Sequence, residues 1–151
     1  MAITQKCQYA LRALLELARR HGERPAKIGE IAGAQGIPPR FLEVILNELK
    51  QGGFAESRRG KDGGYTLIRE PRDLTVGEVI RFVQGPIGPV ERGNDPARGP
   101  ADHPQGIPDV FQNVWKRAED ALSHVYDKTT FQDLLEEETR LRQSVAPDFT
   151  I

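Results

Sequence analysis

Residues 28–53 read IGEIAGAQGIPPRFLEVILNELKQGG, and no other stretch narrows the fold as far. Ile28, Ile31 and Ala32 fall on one face of a short helix, and Gly36 stands where a helix hands over to a left-handed residue. Pro38 and Pro39 suit the first turn of a second helix, whose leading N–H positions have no intrahelical partner anyway. Phe41, Leu42, Ile45, Leu46 and Leu49 recur at helical spacing and predict the buried stripe of that helix. Two short amphipathic helices joined by a tight glycine turn make a helix-turn-helix, and its second helix is the one that reads a groove.

The flanking segments agree with this reading. Upstream, Tyr9, Ala10, Ala13, Leu14, Leu17 and Ala18 predict a helix over about residues 5–21, ended by Gly22. Downstream the period changes. FAESRRGKDGGYTLIRE gives two short apolar runs, Phe54–Ala55 and Tyr65, Leu67, Ile68, around a tip rich in glycine and basic residues, which predicts a β-hairpin. A hairpin directly after a recognition helix is a wing. Arg58, Arg59 and Lys61 at its tip suit a phosphate chain or a minor groove, though a solvated turn has the same composition.

A fourth helix is expected at LTVGEVIRFVQG, with Thr75 as cap and Glu78 at the capping-box position. Residues 85–108, GPIGPVERGNDPARGPADHPQGIP, hold five Gly and six Pro in 24 positions and show no apolar period. A structureless stretch of that length in a small domain is either functional or a linker. From about Pro108, the residues Val110, Phe111, Val114, Trp115, Ala118, Leu122 and Val125 line one broad stripe of a long helix. It would overhang so small a core, which predicts a dimerisation helix; packing against the first helix of its own chain is the alternative. TTFQDLLEEETRLRQ then opens on Thr caps and continues as a helix with a solvated acidic face. The expected organisation is a DNA-binding unit over 1–84, a flexible loop over 85–108, and dimerisation and C-terminal helices over 109–151. The fold class is mainly α with one small β-hairpin.

Composition and charge exclude several functions. At 151 residues with 28% charged positions, the chain suits one soluble folding unit with a protruding part. No apolar run approaches membrane-spanning length, and the start lacks the unbroken apolar core of a secretory signal, so a cytoplasmic location and no membrane partner are expected. Residues 1–75 carry 13 Lys and Arg against 9 Asp and Glu; residues 76–151 carry 8 against 13. The first half therefore suits a polyanion. There is no P-loop, nucleophile elbow or HExxH spacing, and no enzymatic activity is expected.

Taken together, QKCQYALRALLELA, the turn-helix above, the wing SRRGKDGGYTL and LTVGEVI resemble the bacterial winged helix-turn-helix regulators of the Rrf-two family. The resemblance extends through the long helix and TTFQDLL. It implies a transcriptional regulator, expected to act as a repressor, that binds double-stranded DNA at a two-fold operator as a homodimer. It places Arg40 and Glu43 against base edges, Arg59 in a minor groove, and Thr4, Gln5, Lys6 and Tyr9 on backbone phosphates. Pro39, Arg58, Lys61 and Tyr65 complete that candidate face. Side-chain chemistry supports the two base readers independently: Arg40 suits guanine acceptors, and Glu43 can accept from a cytosine amine. Where the family often has small polar residues at the start of the recognition helix, this chain has Pro38 and Pro39.

Cluster-binding members of that family hold an iron–sulfur centre on three cysteines in the loop before the dimerisation helix. Here the loop carries Arg92, Asn94, Asp95, Arg98, Asp102 and His103 and no cysteine. Soft thiolate donors are what hold such a cluster. No cluster and no metal site are therefore expected, and the resemblance is to the cluster-free, CymR-like branch, answering to a small-molecule or protein effector. The chain's single cysteine, Cys7, has two readings. It is either a thiolate made acidic by a helix N-terminus, and so a redox sensor, or a small buried apolar residue. A winged-helix protein-interaction module that has lost DNA binding is a further alternative; the intact basic wing tip weighs against it.

Overall fold

The computed structural model describes residues 2–89 and 104–145. Among them are α1 (Gln5–Arg19), α2 (Ile28–Gln35), α3 (Pro39–Gln51), β1 (Ala55–Arg58), β2 (Gly64–Leu67), a 3-10 turn (Pro71–Asp73), α4 (Val76–Gln84), α5 (Gln112–Lys128) and α6 (Phe131–Val145). The expected helix-turn-helix and hairpin are both present.

Each boundary has a local cause. Thr4 caps α1, its hydroxyl accepting from the Cys7 N–H at 3.1 Å. That helix ends at Arg19, two residues short of the expected His21, and the chain turns before Gly22. Gly36 does take the left-handed conformation, φ 62° and ψ 39°, and Pro39 occupies the first helical position of α3. β1 and β2 pair antiparallel with Ala55 opposite Leu67 and Arg58 opposite Gly64. The hairpin is also tied to the body: Ala26 and Tyr65 exchange two backbone hydrogen bonds of 3.0 and 2.8 Å. Gly64 permits that approach, because its φ is +145° and a Cβ there would lie 2.5 Å from the Ala26 carbonyl oxygen. Thr75 caps α4 as expected, but the Glu78 carboxylate leaves the capping box and pairs with Arg69.

Leu14, Leu17, Ile31, Leu42, Ile45, Leu46, Leu49, Leu74, Val79 and Phe131 form the main core. Phe41, expected in the buried stripe of α3, is instead 50% exposed. The reason is angular: Leu42, Ile45, Leu46 and Leu49 already fill the inward arc, and Phe41 lies outside it. Phe131, at the start of α6, is fully buried, and its N–H donates to the Leu74 carbonyl at 2.9 Å. Burying such a ring stabilises the fold by roughly 2–3 kcal/mol, so the C-terminal helix shares the core of the first segment. α6 starts with a reciprocal cap: the Thr130 N–H donates to Asp133, and the Thr130 hydroxyl accepts from the Asp133 N–H.

A second, smaller core joins Cys7, Ile80 and Ile87, with Leu122 and Tyr126 of α5 packed on it. Ile87 was unexpected there, since it lies within the aperiodic 85–108 stretch. α5 begins at Gln112, so Val110 and Phe111 precede it in a turn, with the Phe111 N–H donating to Asp109. No α5 residue is fully buried. The helix is held to α4 by a two-bonded pair of Arg81 with Asp127, at 2.6 and 2.9 Å, across Gly77, where a side chain would collide with Asp127.

Candidate nucleic-acid interface

α3 is anchored on α1 by its four buried leucine and isoleucine side chains, and this orients the opposite face outward. Pro38, Pro39, Arg40, Phe41, Glu43 and Val44 are all exposed there. The start of α1 abuts the start of α3. The rings of Tyr9 and Phe41 meet edge-on, centroids 6.0 Å apart and planes at 75°. Gln5 Nε2 donates to the Tyr9 hydroxyl at 3.0 Å, and the Arg12 guanidinium lies 5.6 Å from the Tyr9 ring centroid. Arg12 also reaches the turn, since a Cβ on Gly36 would sit 3.8 Å from its Nη2. Sequence reading missed both Arg12 and Phe41 as members of this face. The available signal was the polar line Gln5, Gln8, Arg12 along the first helix.

Gln5 and Tyr9 of α1, with its cap Thr4, thus stand beside Arg40 and Glu43 of α3. Lys6 is there too, but its ammonium is 2.8 Å from Glu48 of α3, so it arrives already neutralised. Pro39 is exposed and can offer only apolar contact. Arg58, Arg59 and Lys61 are exposed on the wing, where Gly60 takes φ +105° and a Cβ on Gly63 would strike the Arg58 carbonyl. Tyr65, also expected on the DNA face, is half-buried against the core and anchors the wing through its backbone.

Ion pairing separates this face from the remainder. Arg19, Arg20, Arg24, Arg69, Arg72, Arg81, Arg140 and Arg142 each pair with a carboxylate. Among the described residues the arginines without such a partner are Arg12, Arg40, Arg58, Arg59 and Arg117. All but Arg117 lie on α1, α3 or the wing. A polyanion meeting those arginines breaks no ion pair of theirs, and Lys6–Glu48 is the ion pair already present on the α1 and α3 part of the face among the described residues.

Other expected sites fare differently. Cys7 is fully buried rather than exposed at a helix end, and burial pushes its thiol up from the ordinary value. That favours the apolar reading and corrects the picture of an accessible thiolate. Val110, Phe111, Val114, Trp115 and Val125 are all exposed, and Phe111 stacks on Trp115 at 6.0 Å. Leu122, expected in the same stripe, turns inward onto the second core, and Ala118 is half-buried. Arg92, Asn94, Asp95, Arg98, Asp102 and His103 lie outside the described residues. Among the described ones no group of three or more His, Cys, Asp or Glu could hold a metal ion, and no helix is long and apolar enough to cross a membrane.

Residues 3–137 match the family model Rrf2, described as an iron-dependent transcriptional regulator. The chain is 36% identical over 136 residues to the HTH-type transcriptional regulator CymR of Bacillus subtilis, covering 89% of each protein. The solved structure of CymR, the global cysteine regulator of B. subtilis, superposes with a TM-score of 0.77 at 34% identity, over 91% of this chain and 98% of that one. IscR of T. potens superposes with a TM-score of 0.73 at 30% identity, over 91% and 88%.

Proposed function

The chain belongs to the Rrf2 family and is a DNA-binding transcriptional regulator, and from that premise we propose that it acts as a homodimeric repressor on a two-fold operator. In this reading Arg40 and Glu43 read base edges in the major groove, and Arg58, Arg59 and Lys61 carry the wing into the minor groove. Gln5, Tyr9 and Arg12 fix register on the phosphates. The observation that carries it is the concentration of unpaired arginines on α1, α3 and the wing. The dimer rests on the exposed stripe Val110, Phe111, Val114, Trp115 and Val125, too large an apolar surface for a solvated helix. The residues Leu122 and Tyr126 fasten that helix to its own chain and leave the stripe for the partner.

The protein works without an iron–sulfur cluster. A chain with one cysteine cannot supply three thiolates, and that cysteine is buried in α1 beneath Ile80 and Ile87. The donor set does not fit the group, so no regulatory step passes through it. The effector is a small molecule or a protein, and the protein resides in the cytoplasm. Titration of promoter duplexes at several salt concentrations tests the DNA reading: affinity falls steeply with salt, and Arg59→Ala, which removes one cationic contact from each protomer of the dimer, weakens binding and reduces the salt slope by about 2. Binding that ignores salt, or that Arg59→Ala leaves untouched, refutes it.

A further inference from the structure

We infer that Phe41 and Val44 contact thymine 5-methyl groups, so that the operator is read partly by apolar fit and not by hydrogen bonds alone. The inference deepens the DNA-binding reading above and rests on it. Phe41 is 50% exposed and Val44 57%, on a helix whose other large apolar residues are at most 2% exposed. They are three residues apart, hence neighbours on the helix surface, and Val44 lies one turn from Arg40. The outer face of α3 therefore alternates hydrogen-bonding side chains, Arg40 and Glu43, with apolar ones.

Phe41 is in the first turn, and the leading residues of a recognition helix are those that meet base edges. On the major-groove edge of a base pair the apolar group is the thymine methyl. Phe41 is also set in advance. Its ring rests edge-on against Tyr9, which is itself held by the Gln5 hydrogen bond and the Arg12 guanidinium. A side chain already fixed loses little freedom on binding. The neighbouring unpaired Arg12 and Arg40 favour a nucleic acid over an apolar protein surface as the occupant.

The test starts with duplexes selected from a random library by the full-length protein. The selected duplex is then resynthesised with deoxyuridine replacing thymidine at one position at a time, which removes the methyl and leaves base pairing intact. At one or two positions per half-site the affinity falls about fourfold, the factor for one buried carbon group. Phe41→Ala and Val44→Ala each weaken binding to the thymidine duplex and abolish the uridine effect at one position. Phe41→Leu, which keeps an apolar tip, retains most of it. Equal affinity for every uridine duplex, or an undiminished uridine effect in both alanine variants with wild-type melting curves, overturns the assignment while leaving DNA binding intact. Failure to select any duplex overturns the DNA reading and this inference together.

Discussion

Glu16 is a carboxylate inside the protein, and neutralising it is the perturbation whose outcome the structure specifies most closely. Its side chain is 4% exposed. Arg20 Nε donates to it at 2.9 Å, Gln35 Nε2 at 3.0 Å, and Arg19 donates as well. Those partners radiate outward: Arg19 also pairs with Glu138 of α6 at 2.6 Å, and Arg20 with Glu30 of α2 at 2.7 Å. Glu16 thus joins the helix-turn-helix to the C-terminal helix through α1. Glu16→Gln keeps the volume and removes the charge. The amide keeps one oxygen as acceptor and turns the other into an NH2 that faces a donor, so one arginine hydrogen bond is lost and the other keeps only the arginine's charge, at a cost of about 1 kcal/mol each. Because both arginines retain a second carboxylate, the larger penalty for orphaning a buried charge does not apply in full. The expected loss is about 2 kcal/mol, or roughly 4–8 °C in Tm for a chain of this size.

The pH dependence follows from the same contacts. Burial pushes the Glu16 carboxyl up, but Gln35, Arg20 and Arg19 together outweigh it and leave the group below its ordinary value. A folded-state pKa below the unfolded one contributes stability that is complete above the unfolded value, about 4.3, and is lost as pH falls through the lowered value. The deficit of Glu16→Gln against wild type is therefore full at pH 7 and shrinks below about pH 4. Paired urea and thermal melts followed by far-ultraviolet circular dichroism measure both. A Tm difference under about 1 °C at pH 7, or a deficit unchanged at pH 3, refutes the account.

Gly64→Ala places a Cβ against the Ala26 carbonyl at an unfavourable φ. It should lower Tm by several degrees and weaken promoter binding as the wing detaches, both read from melts and DNA titration. Trp115→Glu alters a residue that is 44% exposed and so leaves the protomer folded, but it should shift the protein from dimer to monomer in sedimentation equilibrium. Cys7 should react with a thiol reagent in the native protein no faster than the protein unfolds. Prompt labelling with loss of DNA binding would restore the redox reading.

Regular periodicity made most of the fold legible. The stripes of α1, α2 and α3, the left-handed Gly36, the prolines opening α3 and the Thr75 cap all follow from local rules that tertiary packing reinforced. Local rules failed where a residue's fate depends on a distant neighbour. Phe41 recurs at helical spacing with the core residues and still lies outside the core, because its angle on α3 falls beyond the arc that Leu42, Ile45, Leu46 and Leu49 fill. Ile87 sits in a stretch without period and is buried because Cys7 and Ile80 receive it. Leu122 belongs to the expected stripe and faces α4 instead.

The candidate site divides in the same way. Arg40, Glu43, Arg58, Arg59 and Lys61 could be named from their positions after a glycine turn and in a glycine-rich tip, because those motifs constrain the backbone within a few residues. Arg12 could not, since its place beside Gly36 arises from how α1 crosses the turn. Nor could the neutralisation of Lys6 by Glu48, 42 residues away, or the contrast between paired and unpaired arginines. By itself the sequence determined the elements, their order and the absence of cysteine from residues 85–108. Only the tertiary structure decided which charges are left for DNA, because pairing between Arg19 and Glu138, or Arg81 and Asp127, depends on distance in space and not along the chain.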